Sequence, residues 1–324
     1  MESESTSSER LDRYLVRLGF APSRRAASEL VARGRVRING RRSRKGDLVR
    51  ADDRIEVEAP ADVDTDADAD GAPGAPASVS TSTSIAPNPD LGAAIDLLYE
   101  DEAVLVVNKP GLMPCHPLRR KERDTVMNAI VARCPETALA GDKPLEGGLV
   151  HRLDNGTSGA LIVARTPDSF SKLRDAIRSG KVSRRYQALV AGHLDHRLEL
   201  IAPIAHHAKN PRKMMIGAAG ATTPKRAGRR AVTIVEPVQR AGPFTLVSVA
   251  PKTGSRHQIR VHLADAGFPL VGDTLYGGPA AATLPEGRFW LHLSEVSFES
   301  PARGPITVSA PLKPELAALI AAAR

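Results

Sequence analysis

The chain has 324 residues, 42% of them hydrophobic but only 3% aromatic, and carries a formal charge of +8. That length admits one large domain and one small one over a core of Val, Leu, Ile and Ala, and the basic balance suits a polyanionic partner. Two cysteines without CxxC spacing, Cys115 and Cys134, argue against a disulfide framework or a cysteine zinc site, and the polar start Met1-Glu2-Ser3-Glu4-Ser5 is unlike a signal peptide.

No apolar run approaches the roughly 18 residues of a membrane span, so the chain reads as soluble and cytoplasmic. Between Arg10 and Arg54 there are fourteen Lys or Arg against five acids. Leu11, Leu15 and Leu18 have helical spacing up to Gly19. Pro22-Ser23 then opens a second helix with Ala26, Ala27, Leu30 and Val31, which Gly34 ends. Val36-Arg37-Ile38 before Asn39-Gly40 predicts a strand entering a tight turn, and Ile55-Glu56-Val57 a second strand. This pattern resembles an S4 RNA-binding domain, over residues 1–60. The resemblance implies RNA contact through Arg24 and Arg25 at the second helix start, and through Arg33, Arg35 and Arg37 into the hairpin. A solvated charged face is the alternative for such a run.

Residues 61–90 hold six Asp, no Lys or Arg, and many Ala, Pro, Ser, Thr and Gly. Such a stretch buries too little apolar surface to offset its ordering entropy, and a disordered acidic linker is expected. From 91 to 324 the chain alternates short apolar runs with turns. Strands are predicted at Val104–Val107, Ala160–Val163, Ala188–Val190 and Thr245–Val249, and helices at Thr125–Arg133 and Asp168–Ile177, the second opened by Thr166-Pro167. Helices interrupting a strand-rich order indicate an α+β fold with a mixed, largely antiparallel sheet. No internal repeat is present.

Within this region His151-Arg152-Leu153-Asp154-Asn155-Gly156-Thr157-Ser158-Gly159 sets an acid and a base beside a glycine turn, between two apolar runs. Spacing alone leaves an ordinary Asx-type hairpin turn as the commoner reading. As a whole string, however, it closely resembles the catalytic signature of the RluA-type RNA pseudouridine synthases. Further segments resemble that family in order: Val106-Val107-Asn108-Lys109-Pro110-Gly111, Arg185-Tyr186-Gln187-Ala188-Leu189-Val190, Arg256-His257-Gln258-Ile259-Arg260-Val261-His262, and Val271-Gly272-Asp273 with Tyr276-Gly277.

The resemblance implies a pseudouridine synthase catalytic domain over 91–324 beside the small N-terminal α/β S4-like domain. It implies Asp154 as the essential carboxylate, Arg260 as its basic partner, Tyr186 covering the target base, and Arg152 helping to extrude the uridine. A carboxylate in a water-poor pocket needs a fixed cation to remain charged, and arginine suits better than lysine. Core packing is the alternative for Tyr186. Lys209, Arg212 and Lys213, after His206-His207, form a basic loop placed to meet phosphate. His257 and His262 are read as structural hydrogen-bonding groups, and Gly272, Asp273 and Gly277 as turn-forming structure outside the chemistry. The Ala-, Gly- and Arg-rich segment 217–230 departs from the family pattern, as does the basic run Leu118-Arg119-Arg120-Lys121.

No P-loop or dinucleotide signature occurs, and the isomerisation requires neither cofactor nor metal, so none is expected. The expected partner is RNA, with ribosomal RNA of the large subunit ahead of transfer RNA, and a monomer is the default. The rival from another class is a non-catalytic RNA-binding or assembly protein, which has no need of Asp154, Tyr186 and Arg260 together.

Overall fold

The computed structural model describes residues 9–17, 20–21, 24–44, 46–49, 53, 55–57, 86–90, 92, 95–119, 121–143, 145–218 and 227–322. The chain divides into two units, Met1–Ile85 and Ala86–Arg324.

The first unit runs through β1 (Glu9–Arg10), α1 (Leu11–Arg17), α2 (Arg24–Ala32), β2 (Val36–Ile38), β3 (Arg41–Arg42), β4 (Leu48–Val49) and β5 (Ile55–Val57). Leu11 and Leu15 lie one turn apart on α1, and Ala27 and Val31 one turn apart on α2. These faces pack with Val36, Ile38 and Val49 into a small core. Asn39 and Gly40 both take positive φ, the geometry of a type I′ turn, and β2 pairs antiparallel with β3 and β5. Leu18, Gly19, Pro22 and Ser23, on which the helix boundaries were read, lie outside the described residues.

The second unit contains β6 (Asp96–Glu100), β7 (Val104–Lys109), α3 (Val126–Arg133), β8 (Ser158–Ala164), α4 (Pro167–Arg178), β9 (Ser183–Ala191), β10 (Leu198–Ile201), β11 (Ile204–His206), β12 (Met214–Ile216), β13 (Val232–Ala241), β14 (Phe244–Pro251), α5 (Gln258–Asp265), β15 (Leu291–Ser300), β16 (Gly304–Ser309) and α6 (Pro314–Ala322). Among the described residues one sheet takes the order β10-β13-β14-β9-β15-β8-β7-β6, with β16 also on β15. Its pairings are antiparallel except β15 with β8, which gives the mixed, largely antiparallel α+β sheet. The predicted helices form with threonine caps: Thr125 accepts from the Asn128 N–H and Thr166 from the Ser169 N–H. No helix among the described residues is long and apolar enough to cross a membrane.

Of the stretch read as a linker, 61–85 lies outside the described residues. Residues 86–90 differ from that reading, because they lie along the start of α3. The buried Asn128 amide donates to the Asn88 carbonyl (2.6 Å), and the Asp90 N–H donates to the Asn128 carbonyl (3.0 Å). A buried amide needs partners, and that requirement outweighs the weak hydrophobicity of the segment.

Register places the site. Lys109 faces Gly159, Gly159 faces Leu293, and Leu293 faces Tyr186, so these residues form one row where β8 begins just after Asp154. Gly159 has φ +118, and a Cβ there would meet the Leu293 backbone nitrogen at 2.6 Å and carbon at 2.7 Å. Gly159→Ala is therefore expected to destabilise the protein by about 3 kcal/mol. Urea unfolding measures it, and an unchanged midpoint would mean that β8 and β15 are not so closely apposed.

Candidate active site

Asp154 opens a tight turn, with the Thr157 N–H donating to its carbonyl at 3.0 Å. Two buried cations hold this turn from behind. Lys109 is 0% exposed, and its ammonium donates to the carbonyls of Pro110 (2.8 Å), Asn155 (3.2 Å) and Thr157 (2.8 Å). Burial draws the Lys109 pKa down to about 8. Arg288 donates to the Gly156 and Phe289 carbonyls, to Ser158 Oγ at 2.7 Å, and to Glu315 of α6 at 3.3 Å. The turn carbonyls thus all face donors, which fixes the backbone that carries Asp154.

In front of the turn stands Arg260, on α5. Its Nη1 donates to Asp154 Oδ2 at 3.3 Å, while Nε and Nη2 grip Asp273 at 2.7 and 2.8 Å. The guanidinium packs over the rings of Tyr276 (4.9 Å) and Phe289 (4.3 Å). Burial alone would lower the Arg260 pKa. The hydrogen bonds and charge of Asp273, with the charge of Asp154, overcome that and raise it. Asp154 keeps 25% of its side chain open, whereas Asp273 keeps 1%. One carboxylate anchors the arginine and the other can meet a substrate.

The structure brings Asp154 and Arg260 together and sets Tyr186 in the same buried neighbourhood, where burial foremost, and also the charge of Asp154, raise its pKa. Arg152 points outward, 57% exposed, with Nη1 3.2 Å from His116 Nε2 and 4.0 Å from Glu146. Lys209 and Arg212 are exposed on the β11–β12 hairpin, and Lys213 lies over the Tyr276 ring at 5.4 Å. In the first unit Arg24 pairs with Asp12 (3.0 Å), Arg25 with Glu29 (3.4 Å), and Arg37 donates to the Gly40 carbonyl (3.2 Å). Arg33 is exposed and Arg35 half-buried. Lys225 and Arg226 of the basic segment 217–230 lie outside the described residues. No cluster suited to a metal ion occurs among the described residues.

One reading changes. Asp273, taken as turn structure, is the main partner of Arg260. A lone Asp inside an apolar run was the available signal, since a buried carboxylate needs a cation. His207 accepts through Nδ1 from the Lys209 and Asn210 N–H groups (3.2 and 3.1 Å), which shapes the basic loop beside it. Lys109 and Arg288 went unrecognised, because no local pattern shows that such a side chain turns inward. His262 is structural as read, placed between Thr233 Oγ1 (2.9 Å) and the Ala202 carbonyl (3.1 Å).

Two other histidines set an acid limit. His151 accepts through Nε2 from the Ile162 N–H (3.1 Å), and burial foremost pushes its pKa from 6.5 to about 3. His292 donates through Nε2 to the Ala310 carbonyl (3.1 Å) and accepts from Ser158 Oγ (2.9 Å), with burial pushing its pKa to about 4. Each folded-state pKa is depressed, so the unfolded chain takes up the proton first. Stability is fully present above about pH 6.5 and is lost as pH falls towards 4 and then 3. The slope should reach about 1.4 kcal/mol per pH unit for each histidine. Urea midpoints at pH 7.5, 6 and 5 measure it, and a flat profile would contradict the neutral assignments.

Residues 103–265 match the family described as RNA pseudouridylate synthase, and residues 9–55 match the S4 domain. The chain is 33% identical over 321 residues to the uncharacterized RNA pseudouridine synthase YlyB of Bacillus subtilis, covering 98% of this chain and 95% of that one. It is 31% identical over 335 residues to the ribosomal large subunit pseudouridine synthase D of Xanthomonas campestris, covering 99% and 91%. Among solved structures, human RNA pseudouridylate synthase domain containing 1 aligns with a TM-score of 0.56 and 26% identity over 72% of this chain and 90% of that one.

Proposed function

The chain belongs to the RNA pseudouridylate synthase family, and from that membership we infer that it converts particular uridines of large-subunit ribosomal RNA to pseudouridine. The isomerisation breaks the bond between uracil N1 and ribose C1′ and joins C5 to C1′. A proton leaves C5 and one is gained at N1. The observation that carries the reading is the Arg260 guanidinium, gripped by Asp273 and extending one N–H to Asp154. Asp154 is then the carboxylate that acts on the ribose, as nucleophile or as base, with Oδ2 held and Oδ1 turned to the substrate. Tyr186 lies against the base. Arg152, which meets His116 and Glu146 at the surface, has little to lose on entering the RNA stack to fill the space of an extruded uridine.

Lys209, Arg212 and Lys213 lie on a hairpin whose Met214 N–H reaches the Tyr276 hydroxyl beside Arg260, which favours an RNA path over this face. The S4 match supports a second contact through Arg24, Arg25, Arg33, Arg35 and Arg37. The ribosomal target rests on a relative, similar along nearly the whole chain, that is named for the large subunit. Pseudouridine mapping of total RNA from cells with and without the gene tests it. Sites in large-subunit ribosomal RNA should vanish. A loss confined to transfer RNA would move the target, and an unchanged map would refute the reading.

A further inference from the structure

His257 stands where a helix cap would stand, yet its side chain caps nothing. Its backbone is left-handed (φ 54, ψ 20), a conformation that non-glycine residues rarely adopt. The imidazole is turned instead towards the site, with Nε2 4.0 Å from Asp154 Oδ1, the oxygen that Arg260 does not hold.

Proton counting determines what Nε2 presents. The Tyr276 oxygen accepts the Met214 N–H at 2.8 Å and lies 2.8 Å from His257 Nδ1. With one lone pair engaged by Met214, the phenol can donate its own proton to Nδ1, which makes Nδ1 the acceptor and places the imidazole proton on Nε2. The opposite tautomer would leave the Tyr276 proton without this partner and point a nitrogen lone pair at a carboxylate. A doubly protonated ring is disfavoured too. Burial first, then the charges of Arg260 and Arg256, hold the His257 pKa down at about 4 against the pull of Asp154 and Asp273. Lys213, over the Tyr276 ring, adds a further positive charge nearby.

We propose that His257 is a positioning residue for Asp154, presenting a neutral Nε2–H to Oδ1, and that the Tyr276 hydroxyl, itself fixed by Met214 of the β11–β12 hairpin, selects that tautomer. The inference rests on Asp154 being the reacting carboxylate. At 4.0 Å the contact is about 1 Å longer than a hydrogen bond, and the proposal requires it to close as substrate settles against the carboxylate. Because Met214 belongs to the basic hairpin, a hairpin pressed on by RNA also holds the tyrosine that orients the histidine.

Four single variants and one double test this: Tyr276→Phe, His257→Gln, His257→Leu, the pair Tyr276→Phe/His257→Leu and, alongside, Asp154→Asn. His257→Leu should lower kcat by about 10²-fold with KM and RNA affinity within about twofold, and His257→Gln, whose amide can still donate, should recover most of the loss. Tyr276→Phe, which leaves the left-handed backbone untouched, should lower kcat by about tenfold and add nothing to His257→Leu in the double variant. Imidazole nitrogen NMR should show the Nε2–H form in the wild type and a tautomer mixture in Tyr276→Phe. Wild-type kcat in both His257→Leu and Tyr276→Phe, or a loss confined to KM, would overturn the proposal. An active Asp154→Asn would instead overturn the reading of the site on which it rests.

Discussion

Asp154→Asn is expected to lower pseudouridine formation by at least about 10³-fold in kcat/KM while leaving RNA affinity within about twofold. Asparagine has nearly the same shape and can still accept a hydrogen bond from Arg260. The turn is held through its carbonyls by Lys109 and Arg288, none of which the substitution touches. What disappears is the charge and the nucleophilic or basic oxygen. Stability should hardly change, because Arg260 keeps its two bonds to Asp273. A folded, RNA-binding, inactive protein is the expected outcome, checked by product counting beside thermal melting and filter binding. Substantial remaining activity would remove Asp154 from the chemistry.

Asp273→Asn should damage stability and rate together. Arg260 makes two short contacts to Asp273 and one longer contact to Asp154, so Asp273 sets where the guanidinium lies. The pair is almost fully enclosed, and an amide there would leave a buried cation short of its counter-charge and turn an NH2 group towards it. Breaking a buried pair from one side costs about 3–5 kcal/mol. The surviving folded protein should turn over about 10²-fold more slowly, because Arg260 is no longer fixed against Asp154. Urea unfolding and single-turnover assays separate the two effects. A variant that melts and reacts like the wild type would mean that Asp273 is turn structure after all.

Asp273 also marks the boundary of what can be read from the chain. Strands with apolar runs, such as Val104–Val107 and Ala160–Val163, are legible because burial on both faces leaves an unbroken hydrophobic signal. Helices α3 and α4 are legible because threonine caps mark their starts. Strand β7, however, continues through Asn108 and Lys109, both buried. No local rule predicts a fully enclosed lysine; its enclosure follows from the register of β7 on β8, which carries it to the carbonyls of a turn 46 and 48 residues away.

The site divides in the same way. Asp154, Tyr186 and Arg260 are legible in motif strings, whereas spacing alone reads the Asp154 turn as an ordinary hairpin. Asp273, Tyr276 and His257 lie within those strings as well, but their relation to Asp154 depends on how α5 and the segment after it fold against the β8 turn. The left-handed backbone at His257 is likewise invisible in the residue order.

Tritium release from RNA carrying uridine labelled at C5 tests the central claim most directly, because joining C5 to C1′ expels that hydrogen. The wild-type protein should release one tritium for each pseudouridine formed in large-subunit ribosomal RNA, and Asp154→Asn should release none above background. No release by the wild type on any RNA, or equal release by the variant, would contradict the account.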